Sequence, residues 1–156
     1  MSSLVWFRDD LRTFDHPALY AASLQAGNVR AIYFVTPEQW QRHDLAPIRA
    51  DLLERHLNAV GQTLAEWGIP MHVITVSDYA SIPSPLGHVC RQHGISQLYA
   101  NRDIGIYELS RDAAVQAHCE QWQIACHWFD ARCLFAPGSI LTGSGDMFKV
   151  YTPFSR

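Results

Sequence analysis

Positive charge is in short supply in this sequence. Twelve Lys and Arg residues stand against fifteen Asp and Glu, for a formal net charge of −3, whereas a chain that grips duplex DNA unaided shows a basic face to the phosphates. A DNA-binding surface is therefore not expected here. Long apolar runs are missing too: none approaches the roughly 20 residues that cross a bilayer, and the start lacks the basic and apolar regions of a secretory signal. No membrane association is expected. The four cysteines, Cys90, Cys119, Cys126 and Cys133, form no C-x-x-C pair, which excludes a zinc knuckle or a dense disulfide frame and leaves reduced thiols in a cytoplasmic protein. The sequence also lacks a G-x-G-x-x-G turn after the first strand, an H-E-x-x-H pair for a metal, and a G-x-S-x-G elbow. No self-contained catalytic constellation remains.

What is present is a chain of 156 residues, 48% apolar and 17% charged, enough for one folded domain with a sizeable core. Apolar runs at Leu4 to Phe7, Val29 to Val35, Met71 to Val76, Gln97 to Ala100 and Ile124 to Phe129 are hydrophobic on both parities and read as strands covered on both faces. Helical stretches separate them. The first begins after Asp15, an N-cap type of residue, with Pro17 in its first turn; the second carries Ile48, Leu52, Leu57, Val60, Leu64 and Trp67 as one stripe before Gly68. A short helix is expected between Pro85 and Gly94, and a longer one from Tyr107 to Gln123. Strand and helix in alternation predict an α/β fold, a doubly wound five-stranded parallel sheet in three layers. After Asp130 the pattern gives way to Pro and Gly punctuation, an extended segment with turns.

Ligands of open parallel sheets bind beyond the carboxyl ends of the strands, which directs attention to "FRDDLR", "TPEQWQRHD", the Ser77 to Ser84 loop and "NRDIGIYE". Arg8, Asp9, Asp10 and Arg12 suit an anion site, a source of acid and base groups, or an ionic lock in which Arg8 and Asp10 pair with each other or with neighbouring loops, and the lock is the simpler expectation. In the second loop, Trp40 and His43 can sandwich a flat heteroaromatic ring, or Trp40 can merely cover the sheet edge. Glu108 stabilises the first turn of its helix, or its two oxygens accept from the N–H and amino groups of a pterin or guanine edge.

"LVWFRDDLRTFDHPAL" (Leu4 to Leu19), "TPEQWQRHDLAP", "LAEWGIPM", "NRDIGIYELSRD" and "PGSILTGSGDMFKVYTPF" (Pro137 to Phe154) resemble, in order, the signature blocks of the DNA photolyase/cryptochrome family, most closely bacterial cyclobutane pyrimidine dimer photolyases with a folate antenna. The resemblance implies an antenna domain over residues 1–130 and the start of an interdomain linker over 131–156. It also implies a helical FAD-binding domain outside the chain, which carries the light-driven lyase reaction and contacts damaged DNA; this fragment alone is expected to be inactive and monomeric. The implied antenna is 5,10-methenyltetrahydrofolate in a half-site of His43, Tyr107 and Glu108, where Tyr107 stands in a position often held by asparagine in relatives. A flavin or deazaflavin near Arg8, Asp10 and Asp103 is the alternative pigment. A signalling cryptochrome and a stand-alone nucleotide-binding domain are the alternative functions. Ala46 departs from the pattern, since a Ser there would cap the helix opening at Pro47.

Overall fold

The computed structural model describes residues 2–154, and the last two residues of the expected linker lie outside that range. β1 (Ser2–Phe7), β2 (Val29–Val35), β3 (Met71–Thr75), β4 (Ile95–Asn101) and β5 (Ala125–Phe129) form one sheet in the order β3-β2-β1-β4-β5. Every pairing is parallel. β1 lies at the centre because it is apolar on both faces: Leu4 to Phe7 are all essentially inaccessible to solvent. Side chains alternate across a strand, so Val5, Phe7, Ala31, Tyr33 and Tyr99 form one face and Leu4, Trp6, Ile32, Phe34, Leu98 and Ala100 the other.

The helices cover these faces. α1 (Pro17–Ser23) and α3 (Pro47–Glu66) pack Ala18, Leu19, Ala22, Leu57, Val60 and Leu64 on the first; α4 (Pro83–His93) and α5 (Ile106–Gln121) pack Leu86, Val89, Cys90, Val115 and Cys119 on the second. The three-layer, doubly wound sheet expected from the sequence is present, with strand bounds within two residues of those predicted.

Three local expectations are corrected. Asp15 does not cap α1; its φ of 47° puts it in the left-handed region, and His16 caps instead, Nδ1 accepting from the Leu19 N–H at 3.1 Å. The stripe on α3 is shorter than predicted, because Ile48, Leu52 and Trp67 are exposed. At 20 residues the helix is about 30 Å long and overhangs strands of about 17–23 Å. "TPEQWQRHD" is largely a helix, α2 (Pro37–Arg42), with Pro37 in its first turn and an exposed Glu38–Arg42 ion pair at 3.5 Å. A single 3-10 turn (Tyr79–Ser81) precedes α4. Beyond β5 the chain runs through bends to a one-turn helix, α6 (Tyr151–Phe154). Ala46 begins α3 with no side-chain cap.

Candidate functional site

Strand order reverses between β1 and β4, the place where such sheets leave a crevice. Here charge fills it. Arg8 Nη1 donates to the carbonyl of Asn101 at 2.6 Å and to Asp112 Oδ2 at 3.0 Å, and lies 3.8 Å from Asp103. Arg111 bridges Asp103 at 2.8 Å and Asp112 at 3.0 Å. Arg132, just past β5, reaches back to Asp103 at 3.1 Å and Asp9 at 3.0 Å.

Asp10 belongs to an adjoining network. Its Oδ1 accepts from the Arg8 backbone N–H at 2.7 Å, and its Oδ2 accepts from Asn101 Nδ2 at 2.7 Å and faces His16 Nε2 at 3.1 Å. Of the two forms the ionic lock could take, the structure shows the one made with neighbouring segments: the Arg8 guanidinium pairs with Asp112 on α5, not with Asp10. Burial pushes the Asp10 carboxyl up, but the His16 hydrogen bond, with those from Arg8 and Asn101, outweighs it and holds the group down at about 2. Burial beside Arg111 lowers Arg8 to about 10, still charged at neutral pH. Arg12 takes no part, donating from the surface to the Asp15 carbonyl.

Rings interleave with these cations. The Arg8 guanidinium lies 4.1 Å from the Trp6 ring centre and 5.1 Å from that of Trp128; Arg111 lies 5.0 Å from Trp6 and 4.7 Å from Tyr79. Tyr79, Arg111, Trp6, Arg8 and Trp128 thus alternate ring and cation across the carboxyl edge of the sheet. The rings compensate Arg8 Nε and Nη2, which are buried with no hydrogen-bond partner among the described residues. The crevice left between Arg8, Thr36, Trp40 and Tyr79 measures about 30 Å³, the volume of one water molecule.

The second cluster lies where the end of α2 meets the start of α5. His43 follows α2, and Tyr107 and Glu108 are the second and third residues of α5. The His43 and Tyr107 rings meet edge to face with centres 4.8 Å apart, and Gln39 holds His43 Nε2 at 2.8 Å. Beside them is a cleft of about 260 Å³ lined by Gln39, Arg42, Asp78, Tyr79, Tyr107 and Arg111. The Tyr79 hydroxyl donates to Glu108 Oε1 at 3.2 Å. Among the described residues Oε2 has no hydrogen-bond partner, so it remains an acceptor for a ligand.

His43 and Tyr107 are thus brought into contact, with Glu108 next to Tyr107 on α5 and bonded to Tyr79, while Trp40 is not their partner. It turns toward Tyr33 and α3, lining a separate cavity of about 520 Å³ with Val35, Leu53, Leu57 and Val73. Sequence reasoning missed Tyr79, Gly105, Asn101, His16, Arg111 and Asp112. Two of these carried a signal: Arg111 and Asp112 fall on the buried register of Val115 and Cys119, where unexplained charge marks a network. Among the described residues no group of three or more His, Cys, Asp or Glu is arranged for a metal, and no helix is long and apolar enough to cross a membrane.

The family model described as DNA photolyase matches residues 3–156. The chain is 43% identical over 154 residues to the deoxyribodipyrimidine photo-lyase of Salmonella typhimurium, covering 98% of this chain and 32% of that protein. It is 41% identical to the protein of the same name from Vibrio cholerae, covering 98% and 33%. It spans about a third of the length of these relatives. The crystal structure of a class III photolyase from Agrobacterium tumefaciens superposes with a TM-score of 0.78 at 24% identity, covering 98% of this chain and 30% of that one; this likeness bears on the fold. The cryptochrome of Synechocystis follows at 0.74 and 25%, covering 83% and 27%.

Proposed function

Since the chain belongs to the DNA photolyase family, we propose that it is the light-harvesting domain of a photolyase that repairs cyclobutane pyrimidine dimers, with 5,10-methenyltetrahydrofolate held at His43, Tyr107 and Glu108. The observation that carries this assignment is the edge-to-face contact of His43 with Tyr107 beside a cleft that Tyr107 lines, with Glu108, the next residue of α5, bonded through Oε1 to Tyr79 at the same cleft and Oε2 left as an acceptor. The donor set suits a pterin: its N–H and amino groups form a two-donor edge that a carboxylate accepts, and the His43–Tyr107 pair offers aromatic surface beside it. A cleft of about 260 Å³ is just below the range for whole drug-sized ligands. It suits the bicyclic head, with the remainder of the folate extending beyond this domain.

When bound, the folate supplies near-ultraviolet absorption and passes the energy to FAD. The residues of this chain bind and orient it. The flavin chemistry, and the flipping of the dimer out of the duplex that it requires, belong to an FAD-binding domain that this one packs against. The net charge of −3 fits that division, because the phosphate-neutralising surface is then assigned to the partner domain.

The test uses protein expressed from its intact gene. Glu108→Ala is expected to abolish the near-ultraviolet folate band while FAD content and repair of a dimer-containing oligonucleotide under strong blue light persist. An unchanged band sinks the assignment of Glu108, and absence of repair by the unmodified protein favours a signalling cryptochrome. One observation favours a second pigment: the 520 Å³ cavity at Tyr33 and Trp40 has room for a larger ring system, which the crevice beside Arg8 lacks. The spectrum of the extracted pigment separates folate from flavin or deazaflavin.

A further inference from the structure

Glu108 has three rotatable side-chain bonds, yet recognition of a two-donor edge needs its carboxylate in one orientation. Two neighbours restrict it. On one side the Tyr79 hydroxyl holds Oε1 at 3.2 Å. Tyr79 is itself fixed: its ring rests on the Arg111 guanidinium at 4.7 Å, and Arg111 is tied by Asp103 and Asp112 at 2.8 and 3.0 Å. The 3-10 turn that carries Tyr79 is capped by Asp78, which accepts from the Ser81 N–H at 3.2 Å. On the other side is Gly105, the residue before α5, with φ −73° and ψ 149°. Any L residue adopts those angles, so the backbone does not ask for glycine. The carboxylate does: a Cβ at this position would overlap Glu108 Oε2 and lie 3.0 Å from its Cδ.

We propose that Tyr79 and Gly105 are positioning residues for the pigment-binding carboxylate, the hydroxyl fixing one oxygen of Glu108 and the missing side chain making room for the other. The proposal rests on the folate assignment above. It gives the buried ion network a role at the rim: Asp103 and Asp112 hold Arg111, Arg111 holds Tyr79, and Tyr79 aims Glu108. Burial pushes the Tyr79 hydroxyl up to about 12, so it stays protonated and donates throughout the neutral range. Because the atom displaced by a Cβ at Gly105 is the end of a flexible side chain, Gly105→Ala redirects the carboxylate with little effect on folding.

The test is a titration of the FAD-loaded protein from its intact gene, stripped of folate, with 5,10-methenyltetrahydrofolate, reading the dissociation constant and the absorption maximum of the bound pigment. Tyr79→Phe keeps the ring on Arg111 and removes only the hydroxyl; it is expected to weaken binding about 5–10-fold, the worth of one hydrogen bond. Gly105→Ala is expected to weaken it by a similar or larger factor, and both are expected to move the absorption maximum. In a Glu108→Ala background neither should have a further effect, since both act through the side chain that this substitution removes. If Glu108→Gln weakens binding while Tyr79→Phe and Gly105→Ala leave constant and spectrum unchanged, the positioning role is wrong and the folate site stands. Equal losses with and without the Glu108 carboxylate also overturn it, as general damage. If Glu108→Gln binds like the unmodified protein, the folate site itself fails. Should Tyr79→Phe not fold, Gly105→Ala carries the same comparison.

Discussion

Replacing Asp10 by Asn removes a single charge from the junction of β1, α1 and β4, and its cost can be worked from the contacts. Asp10 is 7% exposed, so solvent screens it little. Its carboxyl is held at about 2 against an ordinary 3.8, burial pushing it up and the bonds from His16, Arg8 and Asn101 pulling it further down. A depression of nearly two units corresponds to about 2.5 kcal/mol that favours the folded state whenever the group is ionised. The Asn amide nitrogen would, in addition, oppose the Asn101 amide or the His16 N–H, donor against donor, so the total loss is about 2–4 kcal/mol at neutral pH. Because the folded value lies below the unfolded one, the stabilisation is complete above about pH 4 and fades as pH falls through 2. Urea unfolding followed by tryptophan fluorescence, run for both proteins from pH 7 to pH 2, should show the gap closing in that acid window. A gap that stays constant to pH 2, or one below about 0.5 kcal/mol at neutral pH, would refute the coupling of Asp10 to its partners.

Asp112→Ala leaves Arg8 and Arg111 buried with Asp103 as the one carboxylate they still share and is expected to cost about 3–5 kcal/mol in denaturant unfolding; a loss under about 1 kcal/mol would mean the network is more hydrated than its contacts indicate. Ala46→Ser supplies the side-chain cap that α3 lacks and should raise stability by about 0.5–1 kcal/mol, read as a higher unfolding midpoint with unchanged denaturant slope.

The sheet was legible because each strand announced itself twice, by β-branched or aromatic content and by apolar character on both parities. Helix ends were less so. Asp15 has the chemistry of a cap, yet its left-handed backbone takes it out of position, and only the tertiary contact of His16 with Asp10 and Asn101 explains the residue that caps. α2 escaped because six residues give too few turns for a periodicity, although Pro37, Glu38 and Arg42 were all in place for a helix. On α3 the spacing of Ile48 and Leu52 was helical, but spacing does not say where the sheet beneath ends.

At the candidate site, His43 and Glu108 were visible as residue types on rim segments. The meeting of His43 with Tyr107 was not, since it depends on β2 and β4 flanking β1. Tyr79 and Gly105 acquire meaning only through contacts with Glu108, and neither leaves a pattern in sequence. Arg8 was legible as part of a lock, but which of its two possible pairings it makes was not: Asp10, two residues on, accepts from its backbone N–H, and the carboxylate that meets its guanidinium, Asp112, is on α5.

That pairing joins residues 104 positions apart, and β1 bonds to β4 as well as to β2. The central strand is thus the first made and among the last completed. At ribosomal speeds of about 5–20 residues per second, Leu4 to Phe7 wait roughly 5–20 s with one edge open before β4 and α5 emerge. During that interval the most apolar strand of the sheet is an unpaired template, the condition that favours aggregation or capture by a chaperone. The burst of charge that follows it, Arg8 through Arg12, then stands guard over the nascent chain before it locks the finished one.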